Sequence, residues 1–283
     1  MKNKTDKSEK PSRTGKETQT NRGPSQGAGG ASQTVWNRLK ANWYKKGLAG
    51  SGAPEAILSA VLPRSSRISS FLDVGAGCGA LALPLARAGK RVTAVEPSPQ
   101  MAKILKDDCE KEGLGVKCIN SAWEEVSESD DVRGHDAIIC ANVPGLLKDN
   151  EAFLRRADAL AEKAVFLITG ADPHADKFYY KGLFPLIYGR DFTARGDYLK
   201  TYTMLHSAGT FANIEIVEYN FDQPFDDMEE AVEFWKEYMG LVTEEHDAKL
   251  RDFLKERLKE TGEGLLAEFH KKSAVIWWNK GPS

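Results

Sequence analysis

Three glycines at alternate positions, Gly75, Gly77 and Gly79, are the stretch of this sequence with the clearest chemistry. An apolar run that ends in Asp73 precedes them and an apolar segment with helical spacing follows, which predicts a strand, a tight turn and a helix. Glycine allows positive φ angles, and it lets a ligand approach the main chain because no Cβ intrudes. The pattern therefore predicts a loop that binds a nucleotide-type ligand through its backbone.

Two acidic residues stand where they could contact such a ligand. Asp73 lies two residues before the first glycine, and Glu96 follows the next apolar run, residues 91–95. The glycine spacing also fits a dinucleotide loop, in which a pyrophosphate binds at the helix N-terminus. Glu96 suits either kind of ligand, because both contain a ribose. Asp73 argues against a dinucleotide, since those loops usually carry an apolar residue at that position.

With both carboxylates in place, residues 70–170 resemble the class I methyltransferases that depend on S-adenosylmethionine (SAM). The resemblance implies that SAM is the cofactor and that the reaction transfers a methyl group. It also implies that Asp73 and the glycines contact the methionyl part of SAM and that Glu96 contacts the ribose.

The same resemblance implies that the adenine lies near Ser98 and Met101. Trp123 or a backbone group would stand where the family often has an acidic residue for the adenine amine. The residues that the resemblance assigns to the cofactor are Asp73, Gly75, Ala76, Gly77, Gly79, Glu96, Pro97, Ser98, Met101, Ser121, Ala122, Trp123 and Asn142.

These residues need a sheet to position them, and the rest of the pattern predicts one. The predicted strands are 70–74, 91–95, 116–120, 136–141, 164–169, 213–219 and 274–278. The helices predicted between the first five strands are 80–88, 99–112 and 150–163. We expect an α/β, Rossmann-like fold with a seven-stranded, mostly parallel sheet, helices on both faces, and helical lid and cap insertions. Ligands bind at the carboxyl ends of such strands, where Gly75, Glu96, Asn120 and Asn142 fall.

Composition divides the chain into a tail and one domain. Residues 1–33 carry a net charge of +4 and have no aromatic or large aliphatic residue after Met1, so they predict a disordered basic tail. Residues 34–283, with a net charge of about −6, would form the methyltransferase domain. Within it we expect N-terminal lid helices at 34–62 and helical substrate-side insertions at 171–200 and 225–263.

Aromatic residues crowd into residues 178–202, with charged residues between them. Such a segment is typical of a substrate pocket and also of a dimer surface, and the sequence leaves a monomer and a homodimer open. Asn142 follows the predicted fourth strand, which borders the transferred methyl group in the family. The substrate-side candidates are Trp36, Tyr44, Tyr179, Tyr188, Arg190 and Tyr198. No catalytic residue is assigned, although His174, Asp191 and Tyr188 are candidate bases.

Several classes of protein are disfavoured by what the sequence lacks. The four cysteines have no metal-ligand spacing, so no metal is expected, and reduced thiols favour a cytoplasmic protein. There is neither a signal peptide nor an apolar run long enough to cross a membrane. A nucleic-acid partner is disfavoured because the domain is acidic and has no basic stripe.

The leading hypothesis is thus a SAM-dependent methyltransferase that acts on a small molecule by in-line displacement. The alternatives are methylation of a tRNA or a protein, an NAD(P)-dependent oxidoreductase, and a SAM-binding protein without catalytic activity.

Overall fold

The protein is described by a computed structural model that covers residues 36–128, 131–147, 151–193 and 198–281. The predicted tail, 1–33, lies outside these residues. The strands of the described part are β1 (Ser70–Val74), β2 (Arg91–Val95), β3 (Val116–Ile119), β4 (His135–Ala141), β5 (Ala161–Gly170), β6 (Asn213–Asn220), β7 (Gln223–Phe225), β8 (Lys259–Thr261), β9 (Gly264–Ala267) and β10 (His270–Asn279). Its α-helices are α1 (Arg38–Ala49), α2 (Ala53–Val61), α3 (Ala82–Arg87), α4 (Pro99–Glu112), α5 (Pro144–Leu147), α6 (Glu151–Leu160), α7 (Tyr180–Tyr188), α8 (Tyr198–Ser207), α9 (Met228–Met239) and α10 (Asp247–Lys255).

Seven strands form the main sheet in the order β3-β2-β1-β4-β5-β10-β6. The first five pair in parallel, whereas β10 is antiparallel to both β5 and β6. This arrangement confirms the predicted α/β, Rossmann-like fold with a seven-stranded, mostly parallel sheet, in which β10 is the antiparallel strand. The order reverses at β1, so the carboxyl ends of β1, β2 and β4 open onto one crevice.

Alternating side chains of the sheet supply two separate cores, one on each face. Phe71 and Ile139 point to the face covered by α2, α3 and α4, and Leu72 and Ile138 point to the face covered by α6 and α8. Asp73 shares the alternation of Phe71 and therefore belongs to the first face. The predicted layers of helices on both faces are thus confirmed.

Some predicted boundaries differ from those in the structure. The helix predicted to reach residue 163 ends at Leu160, because β5 already begins at Ala161 to pair with His135 of β4. The helix predicted from residue 80 begins at Ala82, since residues 76–81 form turns around Gly79, whose φ is 91°.

A second unit, which we call the cap, contains helices of the predicted insertions and also a small sheet that was not predicted. It consists of a three-stranded sheet, β7-β9-β8, packed with α7, α9 and α10. The insertion predicted at 225–263 therefore contains its expected helices, but its ends also pair as strands. The aromatic rings of residues 178–192 pack into this unit, with Trp235 and Phe234 at its centre.

Helix α1 lies between the cap and the glycine loop. On one side, Trp43 Nε1 donates to Glu230 (3.0 Å) and Lys46 pairs with Asp226 (2.6 Å), both in or beside α9 of the cap. On the other side, Lys45 pairs with Asp108 of α4 (2.7 Å). Across the described residues, every helix is too short or too polar to cross a membrane.

Candidate functional site

The glycine loop connects β1 to α3, and all three of its glycines have positive φ angles. A Cβ at Gly75 would lie 2.4 Å from Val143, and one at Gly79 would lie 2.6 Å from Leu105. A Cβ at Gly77 would meet nothing within 4 Å. Gly75 and Gly79 are therefore required by the protein's own packing, whereas only Gly77 borders open space that a ligand could enter.

Glu96 fixes the loop to the end of β2. Its Oε2 accepts a hydrogen bond from the backbone N–H of Gly77 (2.7 Å), and its Oε1 accepts one from the N–H of Ser98 (2.8 Å). Burial raises the pKa of this carboxyl, and the two N–H groups only partly offset the effect. Each oxygen keeps lone-pair capacity for one more donor, as the two hydroxyls of a ribose would supply.

Asp73 is buried at the end of β1, with 2% of its surface exposed. Its Oδ2 has no hydrogen-bond partner among the described residues. Burial and the nearby Glu96 raise the pKa of Asp73 to about 7, against a smaller opposing effect of the backbone N–H of Ala82. A buried carboxylate oxygen without a partner is costly, so this position fits a ligand that brings a cation or a donor.

Ser98 begins α4 and joins it to the N-terminal segment. The backbone N–H of Met101 donates to its Oγ, which also donates to the backbone carbonyl of Trp36 (3.3 Å in both cases). Met101 is buried against Cys78 of the loop and Ala41 of α1. Trp36 and α1 therefore lie against the loop from outside, and a lid function for residues 34–62 stays a prediction.

Asn142 follows β4 and has a positive φ of 56°, which is uncommon for a residue other than glycine. Its backbone N–H donates to Ile168 of β5 (2.8 Å). Its side chain hydrogen-bonds to the phenol of Tyr219, which also contacts the hydroxyl of Ser273 (2.7 Å). The carboxyl end of β4 is therefore linked to β6 and β10, and both of these partners were missed in the sequence.

Comparison with known proteins agrees with this geometry. A family model described as a methyltransferase domain matches residues 71–163, which include the loop, both carboxylates and Asn142. An uncharacterized protein of Haemophilus influenzae is 29% identical over 215 residues, 74% of this chain and 76% of that protein. A ubiquinone biosynthesis O-methyltransferase of Methylocella silvestris is 35% identical over 98 residues, 35% of this chain and 38% of the enzyme.

Solved structures share the fold. The YcgJ protein of Bacillus subtilis gives a TM-score of 0.51 at 14% identity, over 81% of this chain and 100% of that one. A candidate methyltransferase of Bacillus halodurans gives 0.52 at 18% identity, over 80% and 99% of the two chains. Residues 71–163 therefore match a methyltransferase domain, and the described residues share the fold of these solved structures.

In this methyltransferase fold, the residues predicted to surround the adenine fall into two groups. Ser98 and Met101 lie at the start of α4 beside the loop, with Pro97 directly before them. Trp123 is in the core of the opposite face, where its ring packs against Phe153 and Arg156. Contact between Trp123 and the adenine stays a prediction, as it does for Ser121 and Ala122, which are partly exposed just after β3.

The substrate-side candidates also divide. Trp36 and Tyr44 contact each other (5.4 Å between ring centroids) beside the loop. Burial raises the pKa of Tyr44, and the charges of Cys78 and Asp73 add to this effect. Tyr44 is therefore close to the buried carboxylate.

The other candidates lie farther along the chain, in or near the cap. Tyr179 stacks on Trp235 (5.6 Å), and Tyr188 donates to the backbone carbonyl of Met239 (2.5 Å). Arg190 is exposed over Tyr188, and Tyr198 packs against the second core of the main sheet. The cap accounts for the packing of the tyrosines at 179 and 188, and an additional role in acceptor binding stays a prediction.

Within the described residues, no group of three or more His, Cys, Asp or Glu side chains could hold a metal ion. The four cysteines are free thiols, and the side chain of Cys140 is fully buried in β4. Burial raises its pKa well above the ordinary value, which does not suit a nucleophile.

Proposed function

We propose that this chain binds SAM in the crevice formed by β1, β2 and β4 and transfers its methyl group to a small-molecule acceptor. The observation that carries the proposal is the buried Oδ2 of Asp73, which has no partner among the described residues. It would hold the amino group of the methionyl part. Glu96 would accept hydrogen bonds from the ribose hydroxyls, and the open side of Gly77 would admit the ligand next to the backbone.

SAM, when bound, supplies a methyl group on a positively charged sulfur. In-line displacement by the acceptor atom would take this methyl group, with the electron pair of the carbon–sulfur bond left on sulfur, and S-adenosylhomocysteine would be the product. The chain's main task is to align the two reactants and exclude water. We assign water exclusion to Trp36 and Tyr44, which cover the loop, and positioning of the acceptor to Asn142.

A small-molecule acceptor is supported by two observations. The relatives of this chain include ubiquinone biosynthesis O-methyltransferases from two organisms, matched over 98 and 90 residues. Residues 34–283 carry a net charge of about −6, which does not favour a nucleic-acid acceptor. The remaining predictions are kept as part of the proposal: residues 34–283 as one methyltransferase domain and a cytoplasmic location.

Calorimetry tests the cofactor. Wild-type protein should bind SAM and S-adenosylhomocysteine but not NADPH, and Glu96→Ala should weaken SAM binding by about 1–3 kcal/mol, because buried hydroxyls lose their acceptor. Glu124→Ala, an exposed acid beyond β3, serves as the control. Binding of NADPH in place of SAM would refute the proposal.

Turnover tests the reaction. Release of S-adenosylhomocysteine should depend on a member of a metabolite panel, and tRNA and protein extracts should give none. A chain that binds SAM but never releases the product would be a binding protein, and the catalytic part of the proposal would fail.

A further inference from the structure

Lys271 lies where the main sheet meets the cap. It is the second residue of β10 and stands directly opposite Tyr219 of β6, so the two side chains point to the same face of the sheet. Its Nζ is 4.1 Å from the ring centroid of Phe221 and 5.8 Å from that of Phe178, at the edge of the cap. The ammonium group is therefore flanked by one ring from each unit.

No anion among the described residues neutralises this amine. Among the residues that the structure describes, Lys271 has neither an ion pair nor a hydrogen bond to an acceptor. Asp222 attracts it from a distance, but an oxygen of this carboxylate already accepts from the backbone N–H of Phe269 (2.8 Å). Burial, with repulsion from Lys177, lowers the pKa of Lys271 to about 7. An anionic ligand would therefore stabilise the buried ammonium group of Lys271, which has no such partner among the described residues.

The same amine is close to the proposed methyl-transfer site. Tyr219, opposite Lys271, contacts Ser273 and the side chain of Asn142 at the end of β4. Phe221 contacts the ring of Tyr44 (5.4 Å), which in turn lies near Asp73. Two series of neighbouring side chains, one through Tyr219 and one through Phe221 and Tyr44, therefore connect Lys271 to the residues that border the cofactor crevice.

We propose that Lys271 binds the anionic group of the methyl acceptor, so that the acceptor is a small organic acid with a flat apolar body. The body would lie along Phe221 and Tyr44, and its far end would reach the crevice beside Asn142. A carboxylate suits the single amine, and the flanking rings suit an aromatic acid. This inference rests on the proposed function, because it names the class of acceptor for that site.

Benzoate and benzamide are suitable probes, since they have the same shape and differ in charge. Binding to protein saturated with S-adenosylhomocysteine would be followed by NMR titration. We expect benzoate to bind about tenfold more tightly than benzamide or better, because only benzoate can pair with the ammonium. Lys271→Met should remove this preference while keeping the length of the side chain, and Lys271→Arg should keep most of it.

Lys272→Met is the matched control. Lys272 is the next residue of β10, points to the other face and pairs with Glu218 (2.7 Å), so its loss should leave the preference for benzoate unchanged. Thermal melts would show that each variant is folded. Equal binding of the two probes by wild-type protein, or an unchanged preference in Lys271→Met, would overturn the inference and leave Lys271 with a packing role only.

Failure of this inference can be separated from failure of the proposed function. SAM binding by wild-type protein and by Lys271→Met should be the same within about twofold, since Lys271 is not a cofactor residue. SAM binding without a preference for benzoate would refute the acidic acceptor alone. A preference for benzoate without any SAM binding would refute the proposed methyl transfer and would leave an anion site.

Discussion

The two carboxylates at the candidate site differ in how far the protein already satisfies them. Glu96 accepts a backbone hydrogen bond at each oxygen, so it maintains the shape of the loop even before a ligand arrives. Asp73 has one oxygen without a partner among the described residues. Of the two, Asp73 is therefore the residue at which ligand binding should change the electrostatic energy most.

Asp73→Asn should separate stability from binding. The pKa of Asp73 is raised from 3.8 to about 7 in the folded protein. As pH rises from about 4 to 7, the unfolded chain therefore loses this proton before the folded protein does. The free energy of unfolding decreases over that range as a result. Asp73→Asn cannot ionise, so its stability does not fall over this pH range. Urea unfolding without ligand should show it more stable than wild type at pH 8, by at most about 4 kcal/mol, with little difference at pH 4.

The same substitution should weaken SAM binding, because the amide cannot pair with an amino group as a carboxylate does. For wild-type protein, SAM affinity should rise between pH 6 and pH 8 as Asp73 loses its proton. Calorimetry at both pH values checks this expectation. A variant that is destabilised at pH 8 and binds SAM normally would mean that Asp73 has a structural role.

At the scale of elements, the glycine loop shows which parts of a motif serve packing and which serve a ligand. The sequence predicts all three glycines as loop residues that a ligand approaches. The structure instead places Gly75 against Val143 and Gly79 against Leu105, and leaves space only beside Gly77. These contacts join segments far apart in the chain, and a local pattern cannot reveal them.

Substitutions in the loop should reflect this division. Gly79→Ala should destabilise the protein by about 2–5 kcal/mol, because it adds overpacking against Leu105 to the cost of a positive φ. Gly77→Ala should cost only about 1–2 kcal/mol, yet weaken SAM binding about tenfold or more, because its Cβ would occupy the open side. Chemical denaturation and calorimetry of both variants measure the two effects. Similar losses in both variants would contradict this assignment.

The main sheet could be predicted from the sequence because its strands are continuous apolar runs separated by helical patterns. The small sheet of the cap could not, since its strands have only three or four residues and one of its two pairings, β7 with β9, joins distant segments. From the sequence, the aromatic segment at 178–202 is typical of a substrate pocket or of a dimer surface, and a role in acceptor binding stays a prediction. Most of its rings pack against α9 and β9 of the cap, and this packing becomes visible only when both segments are placed together.

Lys271 was missed for a related reason. In sequence it is one of two adjacent lysines at the start of a strand, a position typical of a solvated end. Its neighbour Lys272 has that role, with an exposed ion pair to Glu218. The difference between them follows from strand alternation and from the cap, which covers only one face at this point.

At the scale of the whole molecule, the end of the sheet opposite the ligand residues contains contacts that should contribute to stability alone. The ligand residues follow the carboxyl ends of the strands, whereas Asp136 lies at the amino end of β4. Asp136 accepts hydrogen bonds from the backbone and the hydroxyl of Ser69 (2.6 and 2.7 Å) and pairs with Lys163 (2.7 Å). Burial alone would raise the pKa of Asp136, but Lys163 and Ser69 outweigh it and lower the pKa to about 2.

Asp136→Asn should therefore reduce stability without affecting the ligand. Because the folded pKa is below the unfolded one, the stabilisation is present above about pH 4 and is lost as pH falls toward 2. At pH 7 the variant should lose about 1–2 kcal/mol, a value reduced for the half-exposed Lys163. Urea unfolding measures the loss. Asp107→Asn, in an exposed pair with Lys103, is the control and should leave stability nearly unchanged, because exposed ion pairs contribute little. A change in SAM affinity would contradict the separation.

Helix α1 connects two places that would hold different molecules. Trp36, just before it, accepts a hydrogen bond from Ser98 beside the loop, and Trp43 and Lys46 hold it to the cap. Any rotation of the cap that accommodates an acceptor would be transmitted to the cofactor loop through this helix. Such linkage is reciprocal. If the acceptor raises the affinity for the methyl donor, bound donor must therefore raise the affinity for the acceptor by the same factor.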